Sequence, residues 1–301
     1  MKHLLKLADL TGKDIDNILN LADQLKYERK NGIPHQVLKG QTLGMIFTKS
    51  STRTRVSFET GIYQLGGQGL FFSSADLQIG RGEPIKDTAR VLGRYLDGIM
   101  IRTFKQSDVE DLAKYSGIPV INGLTDYCHP CQVLADLMTI REIKGSLKGL
   151  KICFIGDGNN MANSLIAGAV RCGMKISIAC PSNHRPDEAL VKEGFDSGLL
   201  TLTESPLEAA EKADVVYTDV WASMGQEKEA AERAKDFKGY QVNDELMSKA
   251  KSGAIVLHCL PAHRGEEITD EVMEKHAAEI FEEAENRLHA QKAVMVTLMK
   301  K

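Results

Sequence analysis

Short apolar runs alternate with segments of helical periodicity along the whole chain. Apolar residues recur every three or four positions over Asp14–Lys30, which predicts an amphipathic helix there. Further helices are predicted over Ile85–Tyr95, Val109–Ser116, Cys131–Lys144 and Glu274–Lys301. The strands predicted between helices are Thr42–Phe47, Gly69–Phe72, Gly98–Ile101, Val120–Asn122, Lys151–Ile155, Lys175–Ala179, Leu200–Leu202, Asp214–Thr218 and Ile255–His258.

This alternation predicts an α/β fold, because strands that alternate with helices form parallel sheets covered on both faces. The stretch 144–149 contains two glycines and interrupts the pattern, so we expect a domain boundary there. The prediction is two doubly wound parallel-sheet domains with an interdomain cleft. The first spans residues 1–145, with a C-terminal helix at about 277–301 that packs back on it, and the second spans residues 146–276.

Composition narrows the function classes. The chain has 301 residues, 43% of them hydrophobic, which suits two ordinary cores. A net charge of −3 argues against nucleic-acid or membrane-surface partners. No apolar run approaches the ~20 residues that span a bilayer, and the start lacks the apolar core of a signal peptide. We therefore expect a cytoplasmic protein whose six cysteines are reduced.

The run from Lys49 to Arg55 indicates an anion site. It follows the apolar strand Thr42–Phe47 and precedes residues of helical spacing. At such a position free backbone N–H groups and the positive helix end point at a ligand. Ser51, Thr52 and Thr54 add hydroxyl donors, and Arg53 and Arg55 offer planar forks that match phosphate oxygens. The alternative interpretation is a capped helix with two solvated arginines.

Other polar residues also stand at or beyond the carboxyl ends of predicted strands, where open α/β sheets bind ligands. Arg102 follows Gly98–Ile101, and His129 lies just past Val120–Asn122. Two further residues, Asp219 and Cys259, each follow a strand of the second domain. This common placement predicts that these residues act on a ligand.

Two motifs invite other interpretations. The spacing of Cys128 and Cys131 around His129 fits a redox pair or half of a zinc site, with His258, Cys259 and His263 as its other half. The turn 156–160 follows a strand and invites a dinucleotide prediction. Met161 replaces the third glycine of that motif, and no acidic residue ends the next strand, so the match is weak.

Four motifs appear in order along the chain: Ser51-Thr52-Arg53-Thr54, His129-Pro130-Cys131-Gln132, Asp219-Val220-Trp221-Ala222-Ser223-Met224-Gly225 and His258-Cys259-Leu260-Pro261. Together they resemble the signatures of the aspartate/ornithine carbamoyltransferase family, and the resemblance runs almost end to end. The Ser223-Met224-Gly225 triplet and the His258–Pro261 tetrad resemble its ornithine branch.

The resemblance implies transfer of a carbamoyl group from carbamoyl phosphate to the side-chain amine of L-ornithine, without metal or organic cofactor. It implies catalytic roles for Arg102, His129, Asp219 and Cys259, and ornithine contacts from Asn163, Asp219, Ser223 and Met224. The implied carbamoyl phosphate residues are Ser51, Thr52, Arg53, Thr54, Gln78, Arg102, His129, Pro130, Cys131, Gln132, Cys259, Leu260 and Arg287.

The resemblance also implies a homotrimer, or a multiple of trimers, in which Gln78 reaches the carbamoyl phosphate of the neighbouring chain. It further implies a role in arginine biosynthesis. For Cys259 we favour orientation of the amine over a role as covalent nucleophile. Two rival functions are a carbamoyltransferase for another amine such as putrescine and a non-catalytic binding protein. The Ser223-Met224-Gly225 triplet, expected to bind a carboxylate that putrescine lacks, argues against the former. The latter is disfavoured because the site residues are all present: Arg53, Arg102, His129, Gln132, Asp219 and Cys259.

Overall fold

Two parallel sheets organise the part of the chain that the computed structural model describes, residues 1–73, 77, 82–222 and 229–300. The chain divides into a first unit, residues 1–138 with 286–301, and a second unit, residues 139–285. The predicted domain boundary at 145 and 146 stays a prediction. None of the described helices combines the length and hydropathy needed to cross a membrane.

The first sheet has the strand order β2-β1-β3-β4, all parallel. Strands β3 and β4 are buried along their whole length, as expected for a sheet covered on both faces. The strands are β1 (Thr42–Phe47), β2 (Gln68–Ser73), β3 (Gly98–Arg102) and β4 (Val120–Leu124). The helices that begin in this unit are α1 (Gly12–Lys30), α2 (Thr52–Gln64), α3 (Ile85–Leu92), α4 (Gln106–Ser116) and α5 (Pro130–Lys144), after a 3-10 turn at Leu7–Asp9.

The second sheet has the order β7-β6-β5-β8-β9, also parallel. Its strands are β5 (Lys151–Ile155), β6 (Lys175–Ala179), β7 (Leu200–Thr203), β8 (Val215–Thr218) and β9 (Ile255–His258). The remaining helices are α6 (Asn160–Arg171), α7 (Glu188–Asp196), α8 (Pro206–Ala210), α9 (Ala230–Asp236), α10 (Asp244–Met247), α11 (Asp270–Lys275) and α12 (Ala277–Met299). The prediction of two parallel-sheet α/β domains is confirmed.

Local sequence explains where several helices begin. Thr11 caps α1 through a reciprocal pair of bonds with Asp14, which satisfies donors that the first turn would otherwise leave open. Pro130 begins α5, a position that needs no backbone N–H. In each unit the apolar faces of the helices meet the sheet, around Ile46 and Ile99 in the first and Val216 and Phe237 in the second.

Several predicted helix boundaries differ from the structure, and α4, for example, begins at Gln106 rather than Val109. Helix α3 ends at Leu92 rather than Tyr95, because the N–H groups of Arg94 and Tyr95 bond to carbonyl oxygens three residues back, at Val91 and Leu92, in a tighter turn. The predicted helix Glu274–Lys301 is two helices, because α11 ends at Lys275 and α12 begins at Ala277. His276 between them closes the first helix with backbone bonds to Glu274 and Val272.

Candidate active site

In both sheets the strand order reverses next to a central strand, between β1 and β3 in the first unit and between β5 and β8 in the second. Open α/β sheets bind ligands at the carboxyl ends of the strands at such switch points. Ser51 follows β1 and Arg102 ends β3. In the other unit Gly156 follows β5 and Asp219 follows β8. Ser51, Arg102 and Asp219 therefore lie at the edges where this fold binds ligands.

Ser51 is the N-cap of α2, as the sequence indicated. Its hydroxyl accepts the Thr54 N–H at 3.3 Å and donates to Thr54 Oγ1 at 3.1 Å. The first helical backbone bond runs from Arg55 N to Ser51 O, so the N–H groups of Thr52 and Arg53 stand at the start of the helix. Both side chains are exposed. This helix end has the geometry of an anion site.

Thr54 is the centre of a buried polar cluster. Arg102 Nη1 donates to its hydroxyl oxygen at 3.4 Å and Arg287 Nη2 does so at 3.1 Å. Arg287 Nη1 also donates to Gln132 Oε1 at 3.0 Å. The structure thus brings together four residues from β3, α2, α5 and α12, each no more than 4% exposed. Lys49, 8% exposed, forms an ion pair with the far more exposed Asp126.

His129 lies in the same positive environment. Burial, together with the cations of Arg287, Arg102 and Lys49, holds the pKa of His129 well below its usual value. The imidazole is therefore neutral near pH 7 and has one N–H to donate. Such a buried cationic cluster, with a neutral donor beside it, suits an anionic ligand that carries a carbonyl group.

Pro130 and Cys131 occupy the start of α5 beside His129. The Cys131 thiol donates to the Asn122 carbonyl oxygen at 3.4 Å, and the Cys128 thiol is also buried among oxygen partners. Burial raises the pKa of both thiols to about 12. Because redox chemistry needs the thiolate, these values disfavour the redox interpretation of this motif. A zinc ion would have to displace the contacts that both thiols make with oxygen atoms.

In the second unit Cys259 and Asp219 form a pair. The Cys259 thiol donates to Asp219 Oδ1 at 3.0 Å. Asn159, which caps α6 through Oδ1, donates from Nδ2 to Asp219 Oδ2 at 3.1 Å. The N–H of Val220 also reaches Asp219 Oδ1 at 2.8 Å. These bonds fix a carboxylate beside a thiol, an arrangement that can bind an ammonium group and accept its proton.

A buried histidine holds the segment that carries Cys259. The Leu260 N–H donates to His258 Nδ1 at 2.9 Å, so the ring proton sits on Nε2 and donates to Glu267 Oε1 at 3.0 Å. Glu283 accepts the His258 backbone N–H and the Tyr217 hydroxyl. Leu260 has φ 55°, a left-handed conformation that is uncommon for a non-glycine residue. Sequence reasoning missed Glu267, Glu283 and Tyr217, which no local pattern marks.

Asp219, His258 and Cys259 have candidate ligand atoms within 4.8 Å of one another, as do His263, Glu266 and Glu267. Both ring nitrogens of His258 are engaged in hydrogen bonds, and the Cys259 thiol is engaged with Asp219. A metal would have to displace those bonds. The prediction that no metal is needed stays a prediction.

Asn163, predicted to bind the second substrate, is buried in α6. Its side-chain oxygen accepts the Asp187 N–H at 2.9 Å and so holds the loop before α7. Ser223, Met224 and Gln78 lie outside the described residues. The described part of this motif ends at Ala222, and the carbonyl oxygen of Trp221 accepts a hydrogen bond from Arg233.

The turn after β5 does not favour a dinucleotide. An added Cβ on Gly158 would lie 2.3 Å from backbone atoms of Arg185 and Pro186, so this glycine permits the chain to pack on itself. Asp157 in the same turn pairs with Arg233 and His184. Burial raises the pKa of Asp157, although Arg233 and His184 oppose the shift.

The chain matches two models of the aspartate/ornithine carbamoyltransferase family, the carbamoyl-P binding domain over residues 2–142 and the Asp/Orn binding domain over residues 148–298. A curated relative from Oceanobacillus iheyensis, named ornithine carbamoyltransferase, is 57% identical over 99% of this chain and 94% of its own.

The chain belongs to the aspartate/ornithine carbamoyltransferase family.

Solved structures of the family agree in fold. The ornithine carbamoyltransferase of Pyrococcus furiosus is 51% identical, with a TM-score of 0.94 over 99% of this chain and 97% of that one. The enzyme of the same name from Thermus thermophilus is 41% identical, with a TM-score of 0.91 over 100% and 99%. The family model for carbamoyl-P binding covers Ser51, Thr54, Arg102 and Gln132, and the other model covers Asp219 and Cys259.

Proposed function

We propose that this chain is an ornithine carbamoyltransferase, which transfers the carbamoyl group of carbamoyl phosphate to the side-chain amine of L-ornithine and yields L-citrulline and phosphate. The observation that carries the proposal is the convergence of Arg102 and Arg287 on the Thr54 hydroxyl beside a neutral His129. Family membership and the names of the relatives support it.

The first unit would bind the carbamoyl donor. The phosphate would take the start of α2, where Ser51, Thr52, Arg53 and Thr54 supply N–H, hydroxyl and guanidinium donors. Arg102, His129 and the Thr54 hydroxyl would meet the carbonyl oxygen, which becomes an oxyanion on attack. Gln132 would accept a hydrogen bond from the carbamoyl NH2. The carbamoyl phosphate would also contact Arg287, Pro130 and Cys131. Cys259 and Leu260 would lie near its carbamoyl nitrogen.

The second unit would bind the acceptor. Asp219 would hold an ammonium group, and Asn163, Ser223 and Met224 would contact the amino-acid part of ornithine. The side-chain amine, once deprotonated, forms a bond from nitrogen to the carbamoyl carbon. The bond from that carbon to the phosphate oxygen then breaks, and phosphate leaves with the electron pair. The proton that the nitrogen loses is taken by a base, for which the Cys259–Asp219 pair is the candidate.

Positioning and electrostatic stabilisation account for this chemistry, so we propose that no metal or organic cofactor takes part. We also propose a cytoplasmic homotrimer, or a multiple of trimers, in which Gln78 reaches the carbamoyl phosphate of the neighbouring chain. The resemblance to the family supports the oligomer, and the reaction would serve arginine biosynthesis.

The experiment is a competition between acceptors. Purified enzyme receives carbamoyl phosphate with equal concentrations of L-ornithine, putrescine and L-aspartate, and the products are identified by mass spectrometry. We expect citrulline to exceed the other carbamoylated products by at least 100-fold. Predominance of N-carbamoylputrescine or N-carbamoylaspartate would assign another acceptor, and no transfer to any amine would favour a non-catalytic protein.

A further inference from the structure

Helix α5 carries a second polar residue one turn beyond Gln132. Gln132 Nε2 donates to Asp136 Oδ1 at 2.9 Å, and the two side chains are 1% and 0% exposed. We infer that Asp136 is a positioning residue, whose carboxyl group fixes the Gln132 amide with its carbonyl oxygen towards the carbamoyl NH2 of the substrate. This inference rests on the proposed function.

The orientation of the amide follows from its two neighbours. Arg287 Nη1 lies 3.0 Å from the other end of the Gln132 amide, and a guanidinium group has donors but no acceptor. The atom that faces Arg287 must therefore be the amide oxygen, so the NH2 group faces Asp136. In a buried place that NH2 group needs an acceptor, since an unsatisfied buried donor is costly. Asp136 supplies this acceptor.

The arrangement matters for the donor substrate. A carbonyl oxygen has two lone pairs, and Arg287 takes one of them at Gln132 Oε1. With substrate bound, the carbamoyl NH2 would donate to the same oxygen beside Arg287, since a carbonyl oxygen can accept two hydrogen bonds. If the Gln132 side chain rotated to find another acceptor, the substrate NH2 would lose its partner, and the Arg287 fork would lose one of its contacts as well.

Asp136 also belongs to a continuous chain of buried contacts. It runs from Asp136 through Gln132 and Arg287 to the Thr54 hydroxyl, which Arg102 reaches from the other side. A carboxyl group at its end could act as an acceptor or only as a negative charge near the cations. Replacement by asparagine separates these roles, because it keeps an acceptor oxygen and removes the charge.

The test compares two ligands by calorimetric titration of the intact protein. Phosphonoacetamide carries both a phosphonate and a carbamoyl-like CONH2 group, whereas inorganic phosphate has only the anion. For Asp136→Leu, which removes the acceptor, we expect the Kd of phosphonoacetamide to rise about tenfold, the loss of roughly one net hydrogen bond. The Kd of phosphate should stay within twofold.

Two further variants complete the design. Asp136→Asn should bind both ligands within threefold of the wild type, because its side-chain oxygen still accepts from Gln132. Glu142→Gln, an exposed acid on the same helix, is the matched control and should change neither Kd by more than twofold. If Asp136→Leu does not fold, as judged by circular dichroism, Asp136→Ser replaces it, since a serine hydroxyl is too short to reach the Gln132 amide.

The outcomes are distinct. Selective weakening of phosphonoacetamide in Asp136→Leu, or in Asp136→Ser, together with rescue in Asp136→Asn, supports the inference. Equal weakening of both ligands, no weakening of either, or an asparagine variant as weak as the leucine variant overturns it. A wild type that binds phosphate but gains nothing from the carbamoyl-like group contradicts the proposed function itself, and the inference with it.

Discussion

At the scale of single residues, Thr54 is the position where the buried guanidinium groups of Arg102 and Arg287 meet. We predict that Thr54→Val lowers kcat by about 10²-fold, the usual effect of removing one preorganised donor to an oxyanion. Valine keeps the shape of threonine but loses the hydroxyl. Steady-state kinetics with saturating ornithine measures the effect, and Thr54→Ser, which restores the hydroxyl, is the control. Unchanged kcat in Thr54→Val would remove this hydroxyl from the chemistry.

His129 gives a prediction on pH. Because burial and nearby cations hold its pKa well below 6.5, the ring stays neutral through the physiological range. The unfolded chain takes up the proton first as pH falls below about 6.5, so this group lowers stability towards acid pH. The ring ¹³C chemical shift, assigned with a His129→Gln variant, should not change between pH 6.5 and 8. A titration midpoint inside that range would contradict the neutral-donor role.

The motifs identified most candidate residues, but only where local sequence carried the signal. The hydroxyl-rich helix start and the positions after the strands were visible as patterns. Asp136, Glu267 and Glu283 were not, because each acts through a contact with a residue elsewhere in the fold or one helical turn away. A buried acid on an apolar helix face has no periodic signature of its function.

At the scale of elements, Lys292 anchors helix α12 within the first unit. Its ammonium group donates to Gln64 Oε1 at 3.0 Å and contacts His35 Nε2 at 2.7 Å. Burial, with Arg29 as a further cause, lowers the pKa of Lys292 from 10.5 to about 8, although Glu28 opposes the shift. The unfolded chain therefore binds more protons between these two values, and stability should rise with pH across that window.

We predict that the free energy of unfolding of the Lys292→Met variant lacks this increase with pH. In the wild type the free energy of unfolding should increase by at most about 1.4 kcal/mol per pH unit from this group. Urea denaturation at pH 8.0 and 9.5 measures the difference, and Lys13→Met, an exposed lysine on α1, is the control. If the free energy of unfolding changed equally with pH in Lys292→Met and in the wild type, Lys292 would not be the group that titrates in this window.

Strands were easier to predict than helix ends. Strands β1, β5, β6 and β9 match their predicted bounds, since each is a short apolar run with clear flanks. Helix α2 begins at Thr52, four residues before the helical spacing became visible at Val56. The break at His276 lies among good helix formers without glycine or proline, and the His276 N–H bonds to carbonyl oxygens of Glu274 and Val272 there. Local propensity cannot report such a break.

At the scale of the whole molecule, the proposed trimer predicts the activity of assemblies that mix two inactive variants. If Gln78 completes a neighbour's site that contains Arg53, then Gln78→Ala and Arg53→Ala chains should each be nearly inactive. Refolded together, they should recover partial citrulline production, because some interfaces pair a native Gln78 with a native Arg53. Hybrid trimers confirmed by mass analysis but without recovered activity would show that Gln78 does not act across the interface.

The central claim is a division of labour, in which the first unit binds the carbamoyl donor and the second binds the acceptor amine. The most direct test is calorimetric titration of Asp219→Asn with carbamoyl phosphate alone and with a bisubstrate analogue that adds the ornithine moiety. We predict that the Kd of carbamoyl phosphate stays within twofold of the wild type. The Kd of the analogue should rise at least 30-fold, because asparagine cannot pair with the ammonium group as a carboxylate does. Equal losses for the two ligands would contradict the account.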